Sequence, residues 1–256
     1  MINAGDERIE PAEPSVAAPH PPLEEAIHSA NREILLIAAA DPAFTCDLAL
    51  SLLKRADLPS EVVEEIGKNQ SLLKLRQFRL AIASHQRTPR HVSVPLVRQL
   101  YTFDLMKVAL SPSVPADIKK IADETLITRL KATTLGERLT LARQASGGIA
   151  AALLLDPEPR IMQAALENAR LTEVSVARAV LKPQVAGLVQ AVSQHAKWSL
   201  RRDVQAALLR TEHLSLARAL AFGRNFSPAR LREILQNSRL PARIKDQILR
   251  ENLKTS

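Results

Sequence analysis

The strongest chemical signal in the sequence is a run of cations near its carboxy-terminal end: Arg201, Arg202, Arg210, Arg224, Arg230, Arg232, Arg239, Arg243 and Lys245. A guanidinium is a planar fork that donates to two oxygens of a phosphate or carboxylate at once. Arg230 and Arg232 flank Leu231, and Arg243 and Lys245 flank Ile244, so on helices the cations fall beside the apolar stripe. Lined up on successive helices they form a basic ridge, suited to an acidic protein or to the backbone of duplex nucleic acid, which is held without base readout. Aromatic residues are only 3% of the chain, which argues against stacking on single strands. The competing use for the same residues is a solvated helix face, with some arginines meeting the negative ends of helix dipoles.

Catalytic and metal chemistry have no comparable pattern. The histidines His20, His28, His85, His91, His195 and His213 show neither H-x-x-x-H nor H-E-x-x-H spacing. His85 and His91 flank a turn and are expected at the surface. Cys46, the only cysteine, rules out an internal disulfide and reads as a small core hydrophobe in an apolar helix. Phosphate-cradling glycine loops, G-x-S-x-G and the dinucleotide fingerprint are all missing from the sequence. Asp246 and Arg250 stand at i,i+4, the spacing of a surface ion pair. The expectation is a chain without enzymatic activity, cofactor or metal.

The elements that would position the cations are written in a repeated unit, a proline followed by apolar residues at +3 and +6 or +7. Pro228 leads to Leu231, Ile234 and Leu235; Pro241 leads to Ile244, Ile248 and Leu249. Proline is tolerated in a first helical turn because its missing N–H has no partner there. Leu58-Pro59-Ser60-Glu61-Val62 through Gly67 is the same unit with two early acids and a closing glycine. Leu80, Ala83, Pro89, Val92 and Leu100 recur as Met106, Ala109, Pro115, Ile118 and Leu126, an offset of 26 residues. A period in the twenties, with a helix on each side of the proline, marks a helical repeat. Later copies at Pro159 and Pro183 drift. Leu135–Ala145 and Ile149–Leu155 read as helices hinged at Gly147-Gly148 by a plain turn. Trp198-Ser199-Leu200 reads as a helix start, with Ser199 as cap and Trp198 as staple.

Hydrophobic residues make up 46% of the 256, enough for a sizeable core. Ala- and Leu-rich stretches dominate over alternating β-branched ones, which predicts an all-α chain. The net charge of +8 is uneven: residues 1–30 hold six acids against Arg8, a net of −5, leaving +13 on the remainder. Residues 1–22, with five prolines among acids, are expected to form a disordered tail, and 23–256 one continuous domain. An acidic tail on a basic body can act as a weak electrostatic decoy for the body's partner. The longest apolar runs, Ile34–Ala40 and Ile149–Leu155, are too short to span a bilayer. With an acidic amino terminus unlike a signal peptide, the expectation is a cytoplasmic protein without integral membrane association.

The segments Ala83…Pro89-Arg-His-Val92, Leu110…Pro115-Ala-Asp-Ile118 and Phe226-Ser-Pro-Ala-Arg-Leu231 resemble bacterial HEAT-like α-solenoids, in particular the leucine-rich repeat variant group. The resemblance implies a right-handed α-solenoid of degenerate HEAT-like helix pairs, a curved scaffold and not an activity. Members of that group can carry an amino-terminal iron–sulfur segment held by several cysteines. Cys46 alone cannot supply one. Three functions follow as expectations, in descending order. The first is a scaffold binding an acidic protein partner, and the second is sequence-independent binding of duplex nucleic acid through the arginines. The third is a HEAT-like DNA glycosylase, which needs an aromatic-lined cleft beside a carboxylate that Trp198 alone does not supply.

Overall fold

The computed structural model describes residues 22–183 and 186–253, and among these every regular element is helical. The acidic, proline-rich stretch 1–21 lies outside the described residues. The α-helices are α1 (Leu23–Ala26), α2 (Arg32–Ala40), α3 (Cys46–Leu52), α4 (Ser60–Gly67), α5 (Gln70–Leu73) and α6 (Arg76–Ser84). Next come α7 (Arg90–Val97), α8 (Thr102–Leu110), α9 (Ala116–Arg129), α10 (Leu135–Gln144), α11 (Gly147–Leu153) and α12 (Pro159–Leu166). The last six are α13 (Glu173–Val180), α14 (Ala186–Gln194), α15 (Arg202–Leu208), α16 (Leu216–Gly223), α17 (Pro228–Gln236) and α18 (Ala242–Leu253).

Prolines and short polar residues start these helices as their chemistry requires. Pro59, Pro89 and Pro115 are N-caps, whereas Pro159 and Pro228 occupy the first helical turn. Thr134 and Glu137 close a reciprocal capping box on α10. An apolar residue just ahead of the N-cap recurs at Leu58, Val114, Leu171 and Leu214, each exposed by 4% or less. Burying a side chain of that size stabilises by about 1.5–3 kcal/mol, which fixes the angle at which the chain enters each helix.

The helices pack against near neighbours in sequence. α6 packs on α7, α8 on α9, and α10 on α11. Second neighbours also stack: α7 on α9, α9 on α11, α11 on α13 and α13 on α15 along one series, with α6 on α8, α10 on α12 and α12 on α14 along another. All the buried apolar residues from Ile27 to Ile248 except Ala38 form one connected cluster.

Polar contacts follow the same interval. Side-chain hydrogen bonds between segments span 20 to 32 residues, with Arg239 to the Leu181 carbonyl, at 58, the exception. Many end on carbonyls that a helix terminus leaves unpaired. Arg55 reaches the Ile27 and Ser29 carbonyls, and His85 and Gln86 in turn reach those of Arg55 and Ala56. Arg129 donates to Leu100 and Arg98, Asn168 to Ala142 and Ala145, Trp198 to Leu166, and Ser238 to Leu209.

Two local expectations are corrected. Gly147 and Gly148 do not hinge two helices; they are the first residues of α11, with Ser146 as N-cap. Glycine is required at 147 because a β-carbon there would run into the Arg170 carbonyl. Trp198–Leu200 is a single 3-10 turn, and α15 starts at Arg202 without a side-chain cap. Ser199 instead offers its carbonyl to Gln205 at 2.7 Å.

Candidate interaction surface

The carboxy-terminal cations divide by what they already hold. Arg202 donates to the Asn225 carbonyl at 2.9 Å, Arg239 to that of Leu181 at 3.0 Å, and Lys245 to that of Ser238 at 2.5 Å. Arg230 pairs with Glu233 one turn along α17 at 2.5 Å. Arg210 is half-buried, its Nε without a partner, and its carbonyl accepts from the Arg239 N–H. Arg201, Arg224, Arg232 and Arg243 are exposed, with no side-chain hydrogen bond or ion pair among the described residues. The series is thus part internal tie and part open charge. Asp246 and Arg250, expected to pair, face a shallow cleft of about 350 Å³ with Arg243 and Gln247 but make no ion pair.

The histidines serve the turns. His85 is not at the surface; it is 9% exposed. Its Nδ1 accepts the Arg87 N–H at 3.2 Å, which leaves Nε2–H to donate to the Arg55 carbonyl at 2.9 Å. His195 repeats the arrangement: Nδ1 accepts from the Lys197 N–H, and Nε2 meets Glu167 Oε1 at 3.0 Å. Asp41, Asp156 and Asn168 accept the N–H two residues on in the same way. The imidazoles stand in for the short side chains that usually shape such turns. His91 is exposed and lies 3.4 Å from Glu64. Among the described residues no group of three or more His, Cys, Asp or Glu is placed to hold a metal ion.

Cys46, half-buried at the start of α3, takes a long contact from Gln77 at 3.5 Å and not from a histidine. A cleft of about 590 Å³ is lined by Asp47, Lys54 and His85 with apolar neighbours, but both ring nitrogens of His85 are committed to backbone. Trp198 is 2% exposed, its Nε1 spent on the Leu166 carbonyl at 2.8 Å and its ring 4.1 Å from Lys197 Nζ. It offers no open aromatic face for an extruded base.

One perturbed carboxyl lies apart from these groups. Burial pushes Asp123 above the usual carboxylate range, against the opposing hydrogen bond from Ser146 at 2.7 Å. Its Oδ1 has no partner.

A second cluster escaped the sequence reading. Arg76 sets Nε and Nη2 on the two oxygens of Asp104 at 2.6 and 3.0 Å, and those bonds raise its already high pKa. The same guanidinium lies 5.2 Å from the ring centroid of Tyr101, and that of Arg79 lies 6.0 Å away. The available signal was spacing: arginines at i and i+3, with the chain's only tyrosine 25 residues past the first.

No protein-family model matches the chain, and comparison with the curated proteins and with the solved structures found no significant match. None of the described helices is long and apolar enough to cross a membrane.

Proposed function

We propose that the chain is a HEAT-like α-solenoid acting as a non-enzymatic interaction scaffold that binds an acidic protein partner. Stacking of second-neighbour helices, with polar ties at intervals of 20 to 32 residues, supports the solenoid. The partner's charge rests on one observation: Arg201, Arg224, Arg232 and Arg243 stand exposed with no acid of their own, in a segment where eleven Arg and Lys of residues 201–253 face five Asp and Glu. Such a surplus attracts anionic surfaces over about a Debye length, ~8 Å at physiological salt.

Fluorescence anisotropy of labelled polyglutamate and of a labelled DNA duplex, titrated with the full chain across a salt series, tests the reading. Polyglutamate binding that weakens when all four open arginines are replaced by glutamine is the expected result. Tighter duplex binding with a steep salt slope would move the assignment to nucleic acid, since each neutralised phosphate adds about 0.9 to that slope. No binding of either probe at low salt would leave the arginines as a solvated face.

A further inference from the structure

Tyr101 is the only one of the chain's seven aromatic residues that is exposed, by 58%. It caps α8, directly beside the start of α6, where Leu75 is 42% exposed. Beside Arg76, which lies over the Tyr101 ring, runs a cleft of about 480 Å³ lined by Leu75, Arg76, Gln77, Leu80, Asp104 and Lys107. Three features separate this patch from ordinary surface. First, Arg76 is 58% exposed yet is held by two bonds to Asp104, whose side chain is 1% exposed. The guanidinium is therefore set in place before anything binds, and its remaining N–H donors point elsewhere than Asp104. Second, Arg79 keeps a buried Nε without a partner, and Lys107 is exposed and unpaired among the described residues. Third, the cations outnumber the carboxylate three to one around apolar surface, a mixture of Tyr, Arg and Leu that interface cores favour.

We propose that this patch is the anchor for the scaffold's partner: an acidic peptide segment that seats an apolar side chain against Leu75 and Leu80, beside the Tyr101–Arg76 pair. Its flanking carboxylates meet Arg76, Arg79 and Lys107. The proposal rests on the acidic-partner reading and names the place where that partner is gripped. A peptide fits better than a nucleobase, because the Arg76 guanidinium already lies over the Tyr101 ring, 5.2 Å from its centroid, which leaves less of that ring for a stacked base. The cleft also offers apolar volume that a phosphate backbone would leave empty. Open arginines near the carboxy terminus add long-range attraction, whereas the anchor adds contact.

The test uses two fluorescein-labelled twelve-residue peptides of equal charge, one of glutamates with two central leucines and one with serines in their place. Anisotropy titrations with the full chain are expected to show at least roughly tenfold tighter binding of the leucine peptide. Tyr101→Ala and Leu75→Ser, both exposed changes checked for unaltered circular dichroism, should abolish that preference. A double variant Arg232→Gln, Arg243→Gln should weaken both peptides alike and keep the preference. Binding that falls in the double variant but ignores Tyr101→Ala overturns the anchor and leaves the acidic-partner reading standing. No binding of either peptide overturns both. Tighter binding of labelled oligothymidine, lost in Tyr101→Ala, reassigns the patch to nucleobase stacking and overturns the peptide.

Discussion

Replacing Asn168 should cost more than any exposed substitution in the chain. The side chain is 1% exposed and its amide donates to the carbonyls of Ala142 and Ala145, at 2.8 and 3.2 Å, while its oxygen accepts the Arg170 N–H at 2.8 Å. Ala142 and Ala145 lie at the carboxy-terminal end of α10, where carbonyls have no intrahelical donor, and both residues are fully buried. Asn168→Ala removes three hydrogen bonds and strands two buried acceptors, at about 1–3 kcal/mol apiece. Water entering the vacated space recovers part of that, so the expected loss is about 2–4 kcal/mol. For a chain of this size that lowers Tm by about 5–15 °C. Urea denaturation followed by circular dichroism should show a lower midpoint with unchanged slope. Asn168→Asp is sharper, since it keeps the volume but turns the donor toward two carbonyls into an acceptor. A carboxyl there is favoured in its protonated form, so its folded pKa lies above its unfolded value. Relative stability is then present below the unfolded pKa, about 4, and is lost as pH rises through the folded one. An Asn168→Ala variant within about 0.5 kcal/mol of the parent, or an Asn168→Asp variant without pH dependence, would refute the role assigned to these carbonyls.

Three further outcomes follow from single contacts. Gly147→Ala should destabilise by about 1–3 kcal/mol in thermal melts, despite alanine's better helix propensity, because the Arg170 carbonyl blocks the new methyl. Gly148→Ala, whose β-carbon would sit 3.5 Å from Asp123 Oδ2, should be tolerated and is the control. Asp123→Asn should stabilise at neutral pH by no more than about 1 kcal/mol, since the site is part-exposed and solvent screens the charge. With a folded pKa raised by burial, wild-type Asp123 is best tolerated when protonated, so the variant's advantage should vanish below about pH 4, read by denaturation across pH. Trp198→Phe strands the Leu166 carbonyl and should cost about 2–4 kcal/mol by urea denaturation.

What could be seen in the sequence was local. Proline at a helix start and an apolar residue just ahead of the N-cap act within one turn, so Pro59, Pro115 and Leu58 announce themselves by spacing alone. Trp198 and His85 were misplaced because their partners are backbone carbonyls 32 and 30 residues back, which no residue pattern records. The candidate surface suffered in the same way. Arg239 and Arg243 look alike in the sequence, yet one is tied to Leu181 and the other is open. Tyr101 could be counted as the lone tyrosine, but its exposure depends on how the starts of α6 and α8 meet.

The variety of these ties has a physical reason. A helix end and the turn that follows it need donors to their carbonyls, and at successive places the donor is Arg55, His85, Arg129, Asn168, Trp198 or Ser238. Five residue types fill one role because the carbonyl requires only a directed N–H or O–H at the right distance. The donor's identity can therefore differ from one helix end to the next while the geometry of the tie persists. Apolar burial is non-directional and tolerates sliding of one helix along another. A slide of one residue, about 1.5 Å along a helix axis, would carry such a donor off its acceptor. The apolar residues drive the helices together, and the scattered donors decide the register in which they stack.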